Sequence, residues 1–219
     1  MGIRVIVADD QPAAREGLRL LLSSEPGIEV VATARDGFEV VELARRHRPG
    51  VVLTDLRMPR MDGLGAIREL TALDPAPAVV ALTTFDIDEY LFGALQAGAV
   101  GFLLKESDPG LILEAVQVAH DGQGLVDPQV TPRLLRRFAA TSPRPTGRGL
   151  AFLTPRETDV LRRLATGDSN AEIAGTLGIA PGTVKVHVER ILAKLGLRTR
   201  VQAALYAHRH GLIPWSDLP

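Results

Sequence analysis

Five short apolar, β-branched runs, each followed by a stretch with helical spacing, confine the first half of this chain to one architectural class. The runs cover residues 3–8, 28–33, 51–54, 78–83 and 100–104, and the helical stretches cover 13–23, 38–47, 64–73, 87–97 and 111–120. Strands separated by helices pair in parallel through crossovers, so the alternation predicts a parallel sheet. The runs are continuously apolar rather than alternating, so both faces of each strand are buried under helices. The predicted fold class is therefore α/β, a doubly wound (βα)5 parallel sheet. Gly98, just after the fourth helical stretch, suits a helix C-cap.

In such sheets functional groups gather at the carboxyl ends of the strands. Reading those ends gives Asp9 and Asp10 after the first strand, Asp55 after the third, Thr83 after the fourth and Lys105 after the fifth. Taken singly, each has an ordinary role as a helix N-cap, a strand end or a solvated lysine. Together on one rim they are costly, because clustered carboxylates repel one another unless a cation compensates. Hard oxygen donors with room for water and phosphate suit Mg²⁺ (or Mn²⁺). A carboxylate beside such an ion can attack phosphorus, with the lysine and the threonine hydroxyl stabilising the equatorial oxygens.

Two other chemistries on a similar fold fit less well. An aspartyl-nucleophile phosphatase needs a second Asp two residues after the first, and Arg57 stands there. A flavodoxin-like cofactor binder needs a Ser, Thr and Gly-rich loop after the first strand, where this chain has Asp-Asp-Gln-Pro.

The segments VIVADD, LTDLRMPRMDG, ALTTF and GAVGFLLK carry a resemblance to response-regulator receiver domains over residues 1–124. The resemblance implies that Asp55 is the phosphoacceptor, and that Asp10 and Asp55 ligate the metal, helped by Asp9 and the backbone carbonyl of Arg57. It assigns Thr83 and Phe102 as the switch pair and Lys105 as the phosphate-binding lysine. Glu106 stands where many receivers have proline, a local departure that leaves the site residues unchanged. An adaptor role without DNA remains open at this point.

Charge divides the chain. Residues 1–124 hold eleven Lys and Arg against nineteen Asp and Glu, whereas residues 125–219 hold fourteen against seven. A basic second half suits a polyanionic partner. Between them, residues 125–149 read as a linker with a possible helix at 128–140, because Ser142-Pro-Arg-Pro-Thr-Gly is too rich in breakers for regular structure. From 150 to 219 only helical spacing appears, at 155–166, 170–177, 181–195 and 200–210. The second of these is short, Gly178 permits a sharp turn, and Pro181 opens the third, which is the layout of a helix-turn-helix. Val184, Val188, Ile191 and Leu195 form an inward stripe, leaving Lys185, His187, Arg190 and Lys194 outside it.

The run LTPRETDVLRRLATGDSNAEIAGTLGIAPGTVKVHVERILAKLGLRTRVQAA resembles LuxR-type DNA-binding domains, and with the receiver it is similar to the NarL/FixJ subfamily of response regulators. What that implies is a phosphorylation-gated transcription factor, not an enzyme, fed by a sensor histidine kinase and bound to double-stranded promoter DNA. Thr183 would touch the DNA backbone, and Lys185 and Val186 would approach bases. Val201, Ala204, Leu205 and His208 on the last helix would form a homodimer contact when phosphorylated. Glu189 stands where relatives often carry a basic or small polar residue, and Glu157 reads as a first-turn partner of the helix dipole. The chain has no cysteine, no signal-peptide pattern and no apolar run long enough for a membrane span, which fits a cytoplasmic protein without a membrane partner.

Overall fold

A computed structural model describes residues 2–84, 88–127, 129–130, 150, 152–197 and 199–213, in two compact units, Met1–Thr131 and Pro132–Pro219. In the first, β1 (Ile3–Ala8), β2 (Ile28–Ala34), β3 (Val51–Asp55), β4 (Ala78–Thr83) and β5 (Gly101–Leu104) are all parallel, in the order β2-β1-β3-β4-β5. The crossovers are α1 (Pro12–Ser23), α2 (Gly37–His47), α3 (Gly63–Thr71), α4 (Asp88–Ala97) and α5 (Pro109–His120). Every expected strand and helix of this half forms. The two-sided burial follows from the apolar runs. Val5, Val7, Val51, Leu53, Val80, Leu82 and Leu103 pack against Leu22 of α1 and Ile112, Ala115, Val116 and Ala119 of α5. Their neighbours Ile6, Val52, Val79, Ala81 and Phe102 are equally buried on the opposite face. Gly98 holds a left-handed φ of 111° and closes α4 onto the carbonyls of Ala94 and Leu95.

The first unit runs past the expected boundary at 124. After α5 the chain returns along the edge of β5, where the Phe102 amide donates to the Leu125 carbonyl at 2.9 Å and the Asp127 amide donates to the Phe102 carbonyl at 2.8 Å. Edge strands present unpaired amides and carbonyls, and this return segment satisfies those of Phe102. Three residues are too few for periodicity to reveal the pairing. The possible helix at 128–140 falls mostly outside the described residues.

In the second unit α6 (Pro155–Ala165), α7 (Asn170–Leu177), α8 (Pro181–Leu195) and α9 (Arg200–Arg209) enclose Val160, Leu161, Leu164, Ile173, Val184, Val188, Ile191 and Ala203. Capping boxes Thr154/Glu157 and Ser169/Glu172 start α6 and α7, and Gly178 ends α7 in the left-handed region at φ 64°. Arg200 ties α9 to the start of α7 through Asn170 Oδ1 at 2.7 Å and through the Asp168 carbonyl.

Glu157 is buried and takes Lys194 Nζ of α8 at 2.7 Å as well as the Thr154 amide. Desolvation opposes its charge, but the Lys194 and Thr154 hydrogen bonds prevail and hold its carboxyl down at about 2. A carboxyl whose folded pKa is depressed contributes stability above its unfolded pKa, near 4.5, and loses it as pH falls toward 2. Discounted for solvent around Lys194, the contribution is about 2 kcal/mol. Urea unfolding followed at the Val160 and Leu164 amides should show this loss between those pH values in the native chain and not in Glu157→Gln. Equal slopes in the two proteins would contradict it.

Candidate functional sites

The sheet order reverses at β1 and β3, and the carboxyl ends of those strands carry Asp9, Asp10 and Asp55. One carboxylate oxygen from each lies within 4.8 Å of the others. Asp9 is fully buried, Asp55 is 5% exposed and Asp10 is open to solvent. Lys105, reaching over from the end of β5, sets its Nζ 2.5 Å from Asp9 Oδ2 and 2.7 Å from Asp55 Oδ2. Burial raises the pKa of Asp9 against the pull of Lys105. Burial also works against the Lys105 ammonium, but its bonds to Asp55 and Asp9 outweigh that and raise its pKa. The result is a carboxylate nest with one fixed cation and an open acidic rim at Asp10. All-oxygen donors of this kind match a hard divalent ion.

The loop after Asp55 is held at several points. The Arg57 amide donates to Asp55 Oδ1 at 3.1 Å, and the Gly63 amide donates to the Leu56 carbonyl at 3.0 Å. Buried Asp36, the N-cap of α2, pairs with Arg60, whose backbone sits at a left-handed φ of 65°. Desolvation resists the Asp36 charge, yet Arg60 and the Glu39 amide bring its pKa below the ordinary range. The Gly37 amide donates to the Met61 carbonyl at 3.1 Å, and a Cβ on Gly37 would meet that oxygen at 2.6 Å. Arg15 caps the Asp9 carbonyl at 2.6 Å. Sequence reading did not single out Asp36, Arg60 or Arg15. An Asp before a Gly at a helix start was the only local sign, and it points to a cap rather than to its distant arginine.

Thr83 is fully buried and Phe102 is 1% exposed. Because Ala81 pairs with Phe102 and Thr83 with Leu104, the two side chains lie on the same face of adjacent strands, two residues out of register. The Lys105 amide donates to the Thr83 carbonyl at 2.8 Å, so the hydroxyl-bearing residue and the lysine share one strand junction.

On α8, Val184, Val188 and Ile191 turn inward, while Thr183, Lys185, Val186, Glu189 and Arg190 are exposed. Val186, at 42%, is one of few large apolar side chains left in water among the described residues. Two sequence expectations gain neighbours that spacing did not show, and one is corrected. Lys194 lies near the outward face, but the buried carboxylate of Glu157 claims it as a bond between α6 and α8. His187 is only half-buried, with its Nδ1 covered. On α9, Leu205 and His208 are buried in their own unit, at 7% and 4%, and the His208 ring nitrogens face the carbonyls of Ala165 at 2.9 Å and Ile213 at 3.2 Å. Spacing along a helix cannot tell a face that meets a partner from one that meets its own core. Val201 and Ala204 alone keep partial exposure among those four.

Comparison with known proteins agrees with both halves. Residues 5–117 match the response regulator receiver domain family, and residues 151–207 match the family of bacterial regulatory proteins of the luxR type. The nitrate/nitrite response regulator protein NarP of Escherichia coli (strain K12) is 40% identical over 92% of this chain and 93% of its own length. A crystal structure of the response regulator ChrA, from a heme-sensing two-component system, is 36% identical, covers 97% of this chain and 99% of its own, and has a TM-score of 0.54. A structure of the response regulator RcsB in complex with DNA is 25% identical, covers 96% of this chain and all (100%) of its own, with a TM-score of 0.58. Among the described residues no helix is long and apolar enough to cross a membrane.

Proposed function

This chain belongs to the response regulators that join a receiver to a LuxR-type DNA-binding domain, and on that premise we propose that Asp55 accepts a phosphoryl group from a sensor histidine kinase and thereby tightens binding to promoter DNA. The reading rests on one observation above all. Three carboxylates converge within 4.8 Å at the strand ends, and Lys105 bridges two of them. Asp55, nearly buried yet flanked by exposed Asp10, is placed to attack phosphorus: its Oδ–P bond forms as the bond from phosphorus to the donor nitrogen breaks. Asp10 and Asp55, with Asp9 and the Arg57 carbonyl, would hold Mg²⁺ (or Mn²⁺), which supplies positive charge to the phosphoryl oxygens.

The chain's own residues supply the rest. The Lys105 ammonium, kept charged by its two acids, takes one phosphoryl oxygen. The Thr83 hydroxyl turns toward another. The new group adds about −1.5 to −2 charges and three acceptors. Phe102, on the same face two residues out of register, fills the space that Thr83 leaves. These are conformational steps of a regulator acting in the cytoplasm rather than catalytic turnover on a separate substrate.

At the DNA end, exposed Lys185 and Val186 are the base-facing candidates, with Thr183 and Arg190 on phosphates and His187 at the margin. Lys194 drops to a supporting role through Glu157. A twofold dimer would rely on the Val201 and Ala204 side of α9, with half-sites about one helical turn apart.

The test uses the full chain, acetyl phosphate with Mg²⁺, and duplexes selected from random DNA. Phosphodonor should lower Kd at least tenfold, and an unchanged Kd would overturn the reading. Lys185→Ala should weaken binding by about 1–2 kcal/mol and relax the preference for the base that it faces. If affinity and base preference both stayed put, Lys185 would not be a base contact.

A further inference from the structure

We infer that a buried pair, Ser107 with Asp127, positions the Lys105 loop and couples it to the segment that leaves the first unit; the inference rests on the receiver reading of Lys105 and Phe102. Ser107 lies two residues beyond Lys105, and Asp127 lies beyond α5, on the segment paired to the edge of β5. Asp127 is 1% exposed and Ser107 6%. The Ser107 hydroxyl donates to Asp127 Oδ2 and accepts from the Leu104 amide at 3.1 Å. The Ser107 amide returns a bond to the Leu104 carbonyl at 3.0 Å, so residues 104–107 form a closed turn with Lys105 inside it.

Asp127 is used at every polar position. Its other carboxylate oxygen accepts from the Gln129 amide at 2.7 Å, its carbonyl from the Val130 amide at 3.0 Å, and its amide donates to the Phe102 carbonyl at 2.8 Å. One buried residue thus touches the lysine loop, the backbone of the switch aromatic and the first residues that lead toward the second unit. A buried carboxylate is tolerated only while its partners stay in place. Movement of the Lys105 turn toward a phosphoryl group, or of Phe102 into the space beside Thr83, therefore strains a contact that either holds or opens to water. Such a two-state contact converts a small local shift into a discrete change at Asp127, Gln129 and Val130.

Hydrogen exchange of the full chain tests this, with beryllofluoride and Mg²⁺ as the phosphoryl mimic. In the native chain, beryllofluoride should change exchange at the 127 and 130 amides at least tenfold. Ser107→Ala, which takes the hydroxyl away from Asp127 Oδ2, should speed exchange at both amides at least tenfold without the mimic. Ser107→Ala/Asp127→Ala removes both partners and leaves no buried charge. It should still bind beryllofluoride, yet lose the response at 127 and 130 and at least fivefold of the phosphodonor-dependent tightening on DNA. Native exchange at 127 in Ser107→Ala, or a full response in the double variant, would overturn the coupling. Beryllofluoride that binds the native chain but leaves the 127 amide unchanged would overturn the coupling alone. Failure to bind the native chain at all would overturn the receiver reading with it.

Discussion

Alanine at position 55 is expected to abolish the phosphodonor-dependent gain in DNA affinity while leaving the first unit folded. The loss should be complete because Asp55 combines burial, the 2.7 Å bond to Lys105 and a place among the other acids, which no neighbour reproduces. Asp9 is fully enclosed, and Asp10 is exposed, while the lysine that would balance an added charge bonds Asp9 and Asp55. Folding should survive because Lys105 keeps Asp9 at 2.5 Å, so neither group is left as a lone buried charge. Removing Asp55 also relieves the repulsion that helps raise the pKa of Asp9. The net change in stability is then about 1 kcal/mol, small beside the ~5.5 kcal/mol that separates a mostly off from a mostly on population. Binding isotherms with and without acetyl phosphate should coincide for Asp55→Ala. A variant that still tightened tenfold would place the acceptor elsewhere.

Alanine at Gly63 should have the largest effect on stability. Gly63 opens α3 and lies directly against the end of β3, where an added Cβ would sit 2.2 Å from the Asp55 carbonyl oxygen and 2.6 Å from the Leu56 Cα. Both obstacles are backbone, so no side-chain rotation relieves the contact, and the Gly63–Leu56 hydrogen bond would have to lengthen. Overpacking of this kind costs about 3 kcal/mol, which lowers the melting temperature of the first unit by about 10 °C. Because the strain bears on the acceptor's own carbonyl, the rate of phosphorylation by acetyl phosphate should fall as well. Gly17→Ala is the contrasting substitution: it lies in α1 with nothing within 4 Å of the new methyl. That change should stabilise by about 0.5–1 kcal/mol. Calorimetry of the two variants decides it, and a Gly63→Ala transition within 2 °C of the native one (roughly 0.5 kcal/mol) would show that the loop gives way freely.

Much of the site was legible because it is built at strand ends. Apolar runs locate strands, strands of a parallel sheet all end on one rim, and the residues just past those ends therefore meet. Asp9, Asp55, Thr83 and Lys105 needed nothing more. The helix-turn-helix was equally readable, since Gly178 and Pro181 mark helix boundaries by local backbone chemistry. The contacts that the sequence left hidden have a common form. Lys194 and His208 carry the residue types of a surface, and nothing within four residues reveals that Glu157 or the Ala165 carbonyl claims them.

The order of elements, the parallel sheet, the acidic rim and the exposed face of α8 follow from local periodicity and turn chemistry, which act over a few residues and so are written in the chain itself. Tertiary structure alone decided that Arg60 closes on Asp36 across 24 positions and that Asp127 returns to Ser107 across 20. Such pairings depend on strand register and on how helices seat on the sheet. Those are set by the packing of the whole core, and no stretch of sequence carries them alone.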